Sequence, residues 1–325
     1  MEFHIKVLLI SLAVSIGLGL IIIPILKHLK VGQIERNDGP ESHLKKQGTP
    51  TMGGIIIAVA IAIICVILYF KYRIENMQIA NNILPLLFVT IGFGLVGFVD
   101  DFKKLVLKNT KGLKPSYKML GLLIVAVGYT LFLTNVLKIG TDTYIPFIKE
   151  YITFPMWFYI PFAIVVLLGT TNAVNLTDGI DGLSTTVTTI IITCLTVISI
   201  FFGVKEVTLV GASLIGACLG FLIFNLHPAK VFMGDTGSLL LGGAIAGIAL
   251  YLKVPLILLI IALIPVIETI SVMIQVMYFK KTGKRIFKMA PIHHHFELSG
   301  WSENKVVSIF SIITLILCTI GIYSV

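Results

Sequence analysis

Charge is what this sequence has least of. Of its 325 residues only 13% are charged and 57% are hydrophobic, whereas a soluble globular chain carries about a quarter charged residues. Cysteine is scarce as well. Cys65, Cys194, Cys218 and Cys318 all fall inside apolar runs, and none has a CxxC partner. That excludes a disulfide framework and a zinc site, and leaves four small buried hydrophobes. There is no internal repeat, no low-complexity tract, and no hydrophilic stretch long enough to fold alone. The chain therefore reads as one polytopic membrane domain over residues 1–325.

What fills the sequence instead is apolar runs. A helical span needs about 20 mostly apolar residues. Ten segments qualify, at roughly 3–26, 51–70, 82–99, 119–137, 156–174, 184–202, 207–225, 236–252, 254–279 and 305–324. The fold expected is an all-α integral membrane protein with about ten transmembrane helices. The first run is too long for a signal peptide and no small-residue cleavage site follows it. Segment 236–252 is short and rich in glycine. The loops after the odd-numbered segments hold 18 of the 25 Lys and Arg residues. The positive-inside bias makes those loops cytoplasmic and both termini extracytoplasmic. The net charge of +9 fits anionic headgroups and a phosphate-bearing substrate, so no nucleic-acid partner is expected.

Sorted by side, the conspicuous polar residues crowd the cytoplasmic face. The 82–99 segment runs out through FVDDFKK, with Asp100 and Asp101 adjacent. Segment 156–174 runs out through TTNAVNLTDGIDGLS, with Asn172, Asn175, Asp178 and Asp181. Asn225 ends the seventh segment, Asp235 opens the eighth in VFMGDTGSLLLGG, and His293, His294 and His295 stand together in KMAPIHHHFE. Each has a plain structural explanation. Asp235 and Thr236 suit a helix cap, and Asp178 and Asp181 with their glycines suit a turn. Taken together they favour chemistry. Adjacent carboxylates repel unless a cation is present, and an oxygen-only donor set with few carboxylates suits Mg2+ completed by substrate phosphates. The nearby lysines would hold further phosphate charge.

Three further features belong here. Glu268 lies inside an apolar span, where a carboxylate is costly and faces a polar interior or cavity. The GTPTMGG stretch places backbone N–H groups toward an anion, or else caps a helix with Thr49 or Thr51 and Pro50 at its first turn. Gly216 and Gly220 form a GxxxG suited to close helix packing.

The stretches GTPTMGG (48–54), FVDDFKK (98–104), NTKGLKPSYK (109–118), NAVNLTDGIDGL (172–183), FNLHPAKVFMGDTGSLLLGG (224–243) and KMAPIHHHFELSGW (288–301) resemble, in order and nearly end to end, the phospho-N-acetylmuramoyl-pentapeptide transferase family. That family lies within the polyprenyl-phosphate N-acetylhexosamine-1-phosphate transferase superfamily. The resemblance implies transfer of phospho-N-acetylmuramoyl-pentapeptide from UDP-N-acetylmuramoyl-pentapeptide to undecaprenyl phosphate, giving lipid I and UMP. It further implies Mg2+ dependence, a homodimer and a place in the bacterial cytoplasmic membrane. Asp235 matches the metal ligand, with Asn175 a second contributor. Asp100 and Asp101 match the essential pair, with Asp100 as the base, although a two-step route through an Asp nucleophile stays open. Asn172, Asp178, Gly179 and Asp181 match the uridine-contacting loop, and Phe232 the ring that stacks on uracil. Lys46, Thr51, Lys104 and Lys118 resemble groups near the nucleotide or its diphosphate, with Lys111 or Lys114 as alternatives to Lys118. Asn225 and Glu268 join the substrate site, as do His294 and His295 near sugar and phosphate, and His293 is the essential histidine of the three. The competing readings are a sister transferase using UDP-N-acetylglucosamine, against which the HHH loop argues, and a membrane transporter. A transporter places its site near the midplane, and here the polar residues gather at one face.

Overall fold

In hydrocarbon a chain must satisfy its own backbone N–H and C=O groups, so apolar runs of this length fold as helices. The computed structural model describes residues 2–29, 48–105 and 112–325. Among these lie ten long helices: α1 (Phe3–His28), α2 (Gly54–Glu75), α3 (Met77–Leu105), α4 (Pro115–Leu131), α5 (Met156–Thr177), α6 (Leu183–Phe201), α7 (Lys205–Asn225), α8 (Gly234–Tyr251), α9 (Leu263–Thr282) and α10 (Glu303–Tyr323). Nine of them, all but α8 and counting α4 with its π-helical continuation to Val136, are long and apolar enough to cross a membrane. The chain is a mostly helical integral membrane protein.

The exception explains the packing. Every residue of α8 from Thr236 to Tyr251 is buried, and α3, α5, α2 and α6 surround it. A helix sheathed by other helices needs small residues more than lipid-facing ones, which is why its sequence is glycine-rich and less apolar. Two glycines on its neighbours matter most. A Cβ at Gly97 would run into the carbonyl oxygen of Asp235, and one at Gly54 into the backbone of Gly237. α2 and α3 therefore meet the first turn of α8 backbone to backbone. The GxxxG of α7 packs closely, as its spacing suggests. Gly216 and Gly220 face α1, where Ser11 and Ser15 donate hydroxyl hydrogen bonds to the carbonyls of Ser213 (2.6 Å) and Ala217 (2.7 Å).

Three details depart from the sequence reading. First, segment 254–279 is interrupted. Pro255–Ile257 forms a 3₁₀ turn, Leu258–Ile261 a single helical turn, and α9 begins only at Leu263. Pro265 then sits in the first turn of α9, where its missing N–H breaks no helical bond. Second, the fold is not purely helical. Strands β1 (Asp142–Ile145) and β2 (Glu150–Thr153) form an antiparallel hairpin between α4 and α5. The chain's C-terminus closes on it, with Phe147 N–H donating to the Ser324 carbonyl (3.0 Å). Third, neither Thr49 nor Thr51 caps a helix. α2 starts at Gly54 behind Gly53 with no side-chain cap. The GTPTMGG backbone instead pairs with residues 232–233: Phe232 N–H donates to Pro50 O (2.8 Å), Gly53 N–H to Phe232 O (2.8 Å) and Gly54 N–H to Met233 O (2.9 Å).

Candidate active site

The site forms where the C-terminal end of α3 meets the N-terminal end of α8. Asp101, 4% exposed, sends its carboxylate across to α8. It accepts from the Thr236 N–H (2.8 Å), the Thr236 hydroxyl (2.7 Å) and the Asp235 N–H (3.2 Å). A carboxylate from a neighbouring helix thus caps α8 and meets its positive dipole end. The Asp235–Thr236 pair is therefore the capped element and not the cap, and Asp235 is left to point elsewhere.

Asp235 reaches the groups the sequence nominated. Its Oδ2 lies 2.7 Å from Lys104 Nζ and 3.1 Å from Lys118 Nζ, and its Oδ1 accepts from Asn175 Nδ2 at 2.8 Å. Asp100 shares the same lysines, at 2.6 Å from Lys104 Nζ and 3.9 Å from Lys118 Nζ, and its Oδ1 accepts from the Leu113 N–H at 2.6 Å. The adjacent aspartates thus divide their work: Asp101 holds α8, and Asp100 faces the lysine-lined space beside Asp235. Thr51 lies on the Asp101 side of the cluster, since a Cβ at Gly234 would lie 3.0 Å from its hydroxyl and 2.8 Å from Asp101 Oδ2.

The four residues 178–181 link this cluster to two others. Asp178 accepts from the Gly234 N–H. Partial burial, then the neighbouring Asp235 and Asp101 carboxylates, hold its carboxyl well above the usual range. Gly179 packs against the ring of His293, so closely that a Cβ there would meet Nε2. His293 and Glu268 are both fully buried, with Nδ1 and Oε2 3.1 Å apart. Both ring nitrogens and Glu268 Oε1 are buried without a hydrogen-bond partner. The His294 ring lies 4.0 Å from that of His293, and its Nδ1 is 2.7 Å from Glu297 Oε2. His295 accepts from the Lys288 N–H at 3.1 Å, outside this contact.

Asp181 makes the third link. Its Oδ2 lies 2.9 Å from His227 Nδ1 and accepts from the Ala229 N–H at 3.0 Å. Its own N–H donates to Glu303 Oε2 at 3.3 Å. Asp181, His227 and Glu303 are the one group of three or more among the described residues whose His and carboxylate ligand atoms stand within 4.8 Å of one another, close enough to hold a metal ion. Sequence reasoning missed His227 and Glu303. The signal was present for both: a histidine inside FNLHPAK, and an acidic residue just after the Ser302 cap of α10.

Two nominated residues frame the loop. Asn225, 3% exposed, accepts from Thr185 Oγ1 (2.8 Å) and donates to Val231 O (3.0 Å), which sets the path toward the part-buried Phe232. Asn172 donates to Leu168 O in its own helix at 2.7 Å. Lys46 lies outside the described residues.

The model of glycosyl transferase family 4 matches residues 83–253, over half of the chain, and a phospho-N-acetylmuramoyl-pentapeptide-transferase signature matches residues 46–57. Curated proteins named phospho-N-acetylmuramoyl-pentapeptide-transferase align nearly end to end. That of Acetivibrio thermocellus is 49% identical over 323 residues, covering 99% of this chain and 95% of the relative. That of Clostridium perfringens strain 13 is 51% identical over 317 residues, covering 98% and 97%. That of Halalkalibacterium halodurans is 49% identical over 316 residues, covering 97% and 95%. With its carboxylates and lysines gathered inside the matched region, the chain belongs to the phospho-N-acetylmuramoyl-pentapeptide-transferase family within glycosyl transferase family 4.

Proposed function

We propose that the protein transfers phospho-N-acetylmuramoyl-pentapeptide from UDP-N-acetylmuramoyl-pentapeptide to undecaprenyl phosphate, releasing UMP. The observation that carries the site assignment is the meeting of Asp100, Asp235, Lys104 and Lys118 at the start of α8. Phosphoryl transfer is mostly positioning and charge neutralisation, and this cluster offers both. Lys104 and Lys118 hold the donor diphosphate. Asp100 takes the proton of the lipid phosphate, whose oxygen bonds to the β-phosphorus as the bond to the UMP oxygen breaks. The unsatisfied His293 Nε2 awaits a polar group of the donor, since buried polar atoms are nearly always bonded, and Glu268, 3.1 Å from Nδ1, orients that ring.

The residues also fit magnesium. Among the described residues Asp100, Asp101, Asp178 and Asp235 place four carboxyl groups beside the two ammonium groups of Lys104 and Lys118, and carboxyl groups crowded in this way favour a bound cation. The ligand atoms these carboxyl groups offer are oxygens, which suit magnesium rather than zinc. Asp235 would hold it, with Asn175 contributing its amide oxygen after the side chain turns. When bound, the ion neutralises charge on the transferring phosphoryl group.

The remaining parts of the reading are these. All ten helices span the membrane, with both termini extracytoplasmic and the site at the cytoplasmic face of the bacterial cytoplasmic membrane. The chain is one domain and works as a homodimer. A cleft of about 360 Å³ beside α9, lined by Val272, Val276, Phe279 and Met289 with Lys280 and Arg285, suits the acceptor's apolar tail.

The test is UMP release by purified protein in detergent, with and without magnesium, using Asp235→Asn as control. Magnesium-dependent release that the variant lacks is expected. Release from UDP-N-acetylglucosamine alone would overturn the donor assignment.

A further inference from the structure

We infer that His227 and Glu303 position the donor-nucleotide pocket, by holding Asp181 and the 178–181 loop against the segment that carries Phe232. The inference rests on the reading of that loop and ring as the uridine site.

The arrangement is a clasp between three parts of the chain. Asp181 comes from the turn between α5 and α6, His227 from the connection between α7 and α8, and Glu303 from the first turn of α10. Asp181 is held twice. Its carboxylate takes the His227 ring and the Ala229 N–H on the single oxygen Oδ2, and its backbone N–H is taken by Glu303. An ionised carboxylate only accepts, so His227 Nδ1 carries the proton in this contact. The same nitrogen lies 3.7 Å from Glu303 Oε2. Asp181 and Glu303 are 3% and 8% exposed, and two carboxylates so placed repel strongly unless a donor stands between them. The imidazole is that donor. Glu303 is further favoured by the helix end it sits on.

The clasp fixes one end of the segment leading to Phe232. Asn225 and the pairing with Pro50 and Gly53 fix the rest. The clasp joins the turn and the connections that carry the residues read as the uridine site, so it governs how the nucleotide is seated. The His227 side chain is 38% exposed, so its replacement leaves no closed cavity.

The experiment uses the full chain in detergent. UMP affinity is measured by calorimetry, and KM is measured separately for the UDP-linked donor and the polyprenyl phosphate. The variants are His227→Ala, Glu303→Ala, and His227→Asn, whose Nδ2 replaces the Nδ1 donor, with Asp181→Asn as reference. His227→Ala and Glu303→Ala are expected to raise the UMP Kd and the donor KM roughly tenfold, the size of one charge-assisted hydrogen bond. The KM for the lipid should move less than about twofold on the same reasoning, and kcat should fall far less than in Asp235→Asn. His227→Asn should recover most of the loss. If Asp181→Asn weakens UMP binding but the two alanine variants do not, the clasp is overturned and the pocket stands. The clasp also fails if the UMP Kd and both KM values rise together while kcat and the melting temperature fall and His227→Asn restores nothing, since that marks a merely structural contact. If wild type binds UMP and Asp181→Asn binds it equally well, the pocket reading fails and the inference with it. Wild type that binds no UMP would sink the proposed function itself.

Discussion

The two ends of α8 carry similar chemistry arranged to opposite effect. Its 18 residues separate them by about 27 Å. At the first end Asp235 joins Asp100, Asp101 and Asp178 around Lys104 and Lys118, the two lysines in contact with this cluster among the described residues, in a place largely closed to water. Just past the other end Lys253 meets Asp142 at 2.8 Å, one to one, with both side chains part-exposed. Beside it Glu206 accepts from the neutral donors Tyr251 Oη (2.6 Å) and Asn82 Nδ2 (2.8 Å). Where charges are matched, they hold a loop in place. Where carboxylates outnumber cations and are buried, the imbalance is costly by itself and becomes reasonable only when a cation or a phosphate-bearing ligand completes it.

The widest separation between the ends should appear in Asp235→Asn. Removing that charge should cut UMP release at least about a hundredfold, the scale seen when one transition-state electrostatic group is lost, with the melting temperature little changed. Retained turnover would erase the distinction between the ends. Next is Gly97→Ala. The new methyl meets backbone at Asp235, which cannot turn away as a side chain can, so a loss of about 1–3 kcal/mol is expected, measured by thermal unfolding in detergent and accompanied by lost activity. Gly17, whose Cβ would meet nothing within 4 Å, is the control, and Gly17→Ala should be neutral or slightly stabilising. Smaller again is Lys118→Ala. Lys104 still neutralises Asp235 at 2.7 Å, so the loss should fall on donor affinity, roughly tenfold, and an unchanged KM would remove Lys118 from the nucleotide site.

The sequence made the first end of α8 legible and left the second dark. Aspartates and asparagines at the mouths of apolar runs stand out against a background nearly free of charge, so Asp100, Asp101, Asn175 and Asp235 could be nominated together. Their division of labour could not be, because the partner of Asp101 is the backbone of Thr236, 135 residues away, and a backbone N–H leaves no trace in composition. His227 and Glu303 escaped for a related reason, each being an ordinary surface residue until the fold brings three connections together. The centrality of α8 was not legible, since glycine makes segment 236–252 short and less apolar whether a helix meets lipid or is sheathed by other helices. The hairpin was hidden by length. DTYI and EYIT are four residues each, too short for alternation to stand clear of neighbouring apolar runs.

The smallest effect should come from the second end of α8, and its pH dependence gives it a signature. Hydrogen bonds from Lys253 Nζ and from Thr153 Oγ1 hold the Asp142 carboxyl below its usual range. A carboxyl depressed on folding stabilises the fold above its unfolded value, about 3.9. That stabilisation fades as the pH falls from there through the lower folded value. Asp142→Asn keeps an oxygen for Thr153 and loses only the charge. It should therefore cost under about 1 kcal/mol, as part-exposed pairs do, at pH 7, and less as the medium is acidified below about pH 4. Thermal unfolding in detergent at the two pH values measures the difference. UMP release at pH 7 should be unchanged, because the pair lies a full helix length from Asp235. A rate loss approaching that of Asp235→Asn would mean the two ends are coupled through α8, and that the buried helix transmits strain between them rather than merely separating a loop clamp from a reaction site.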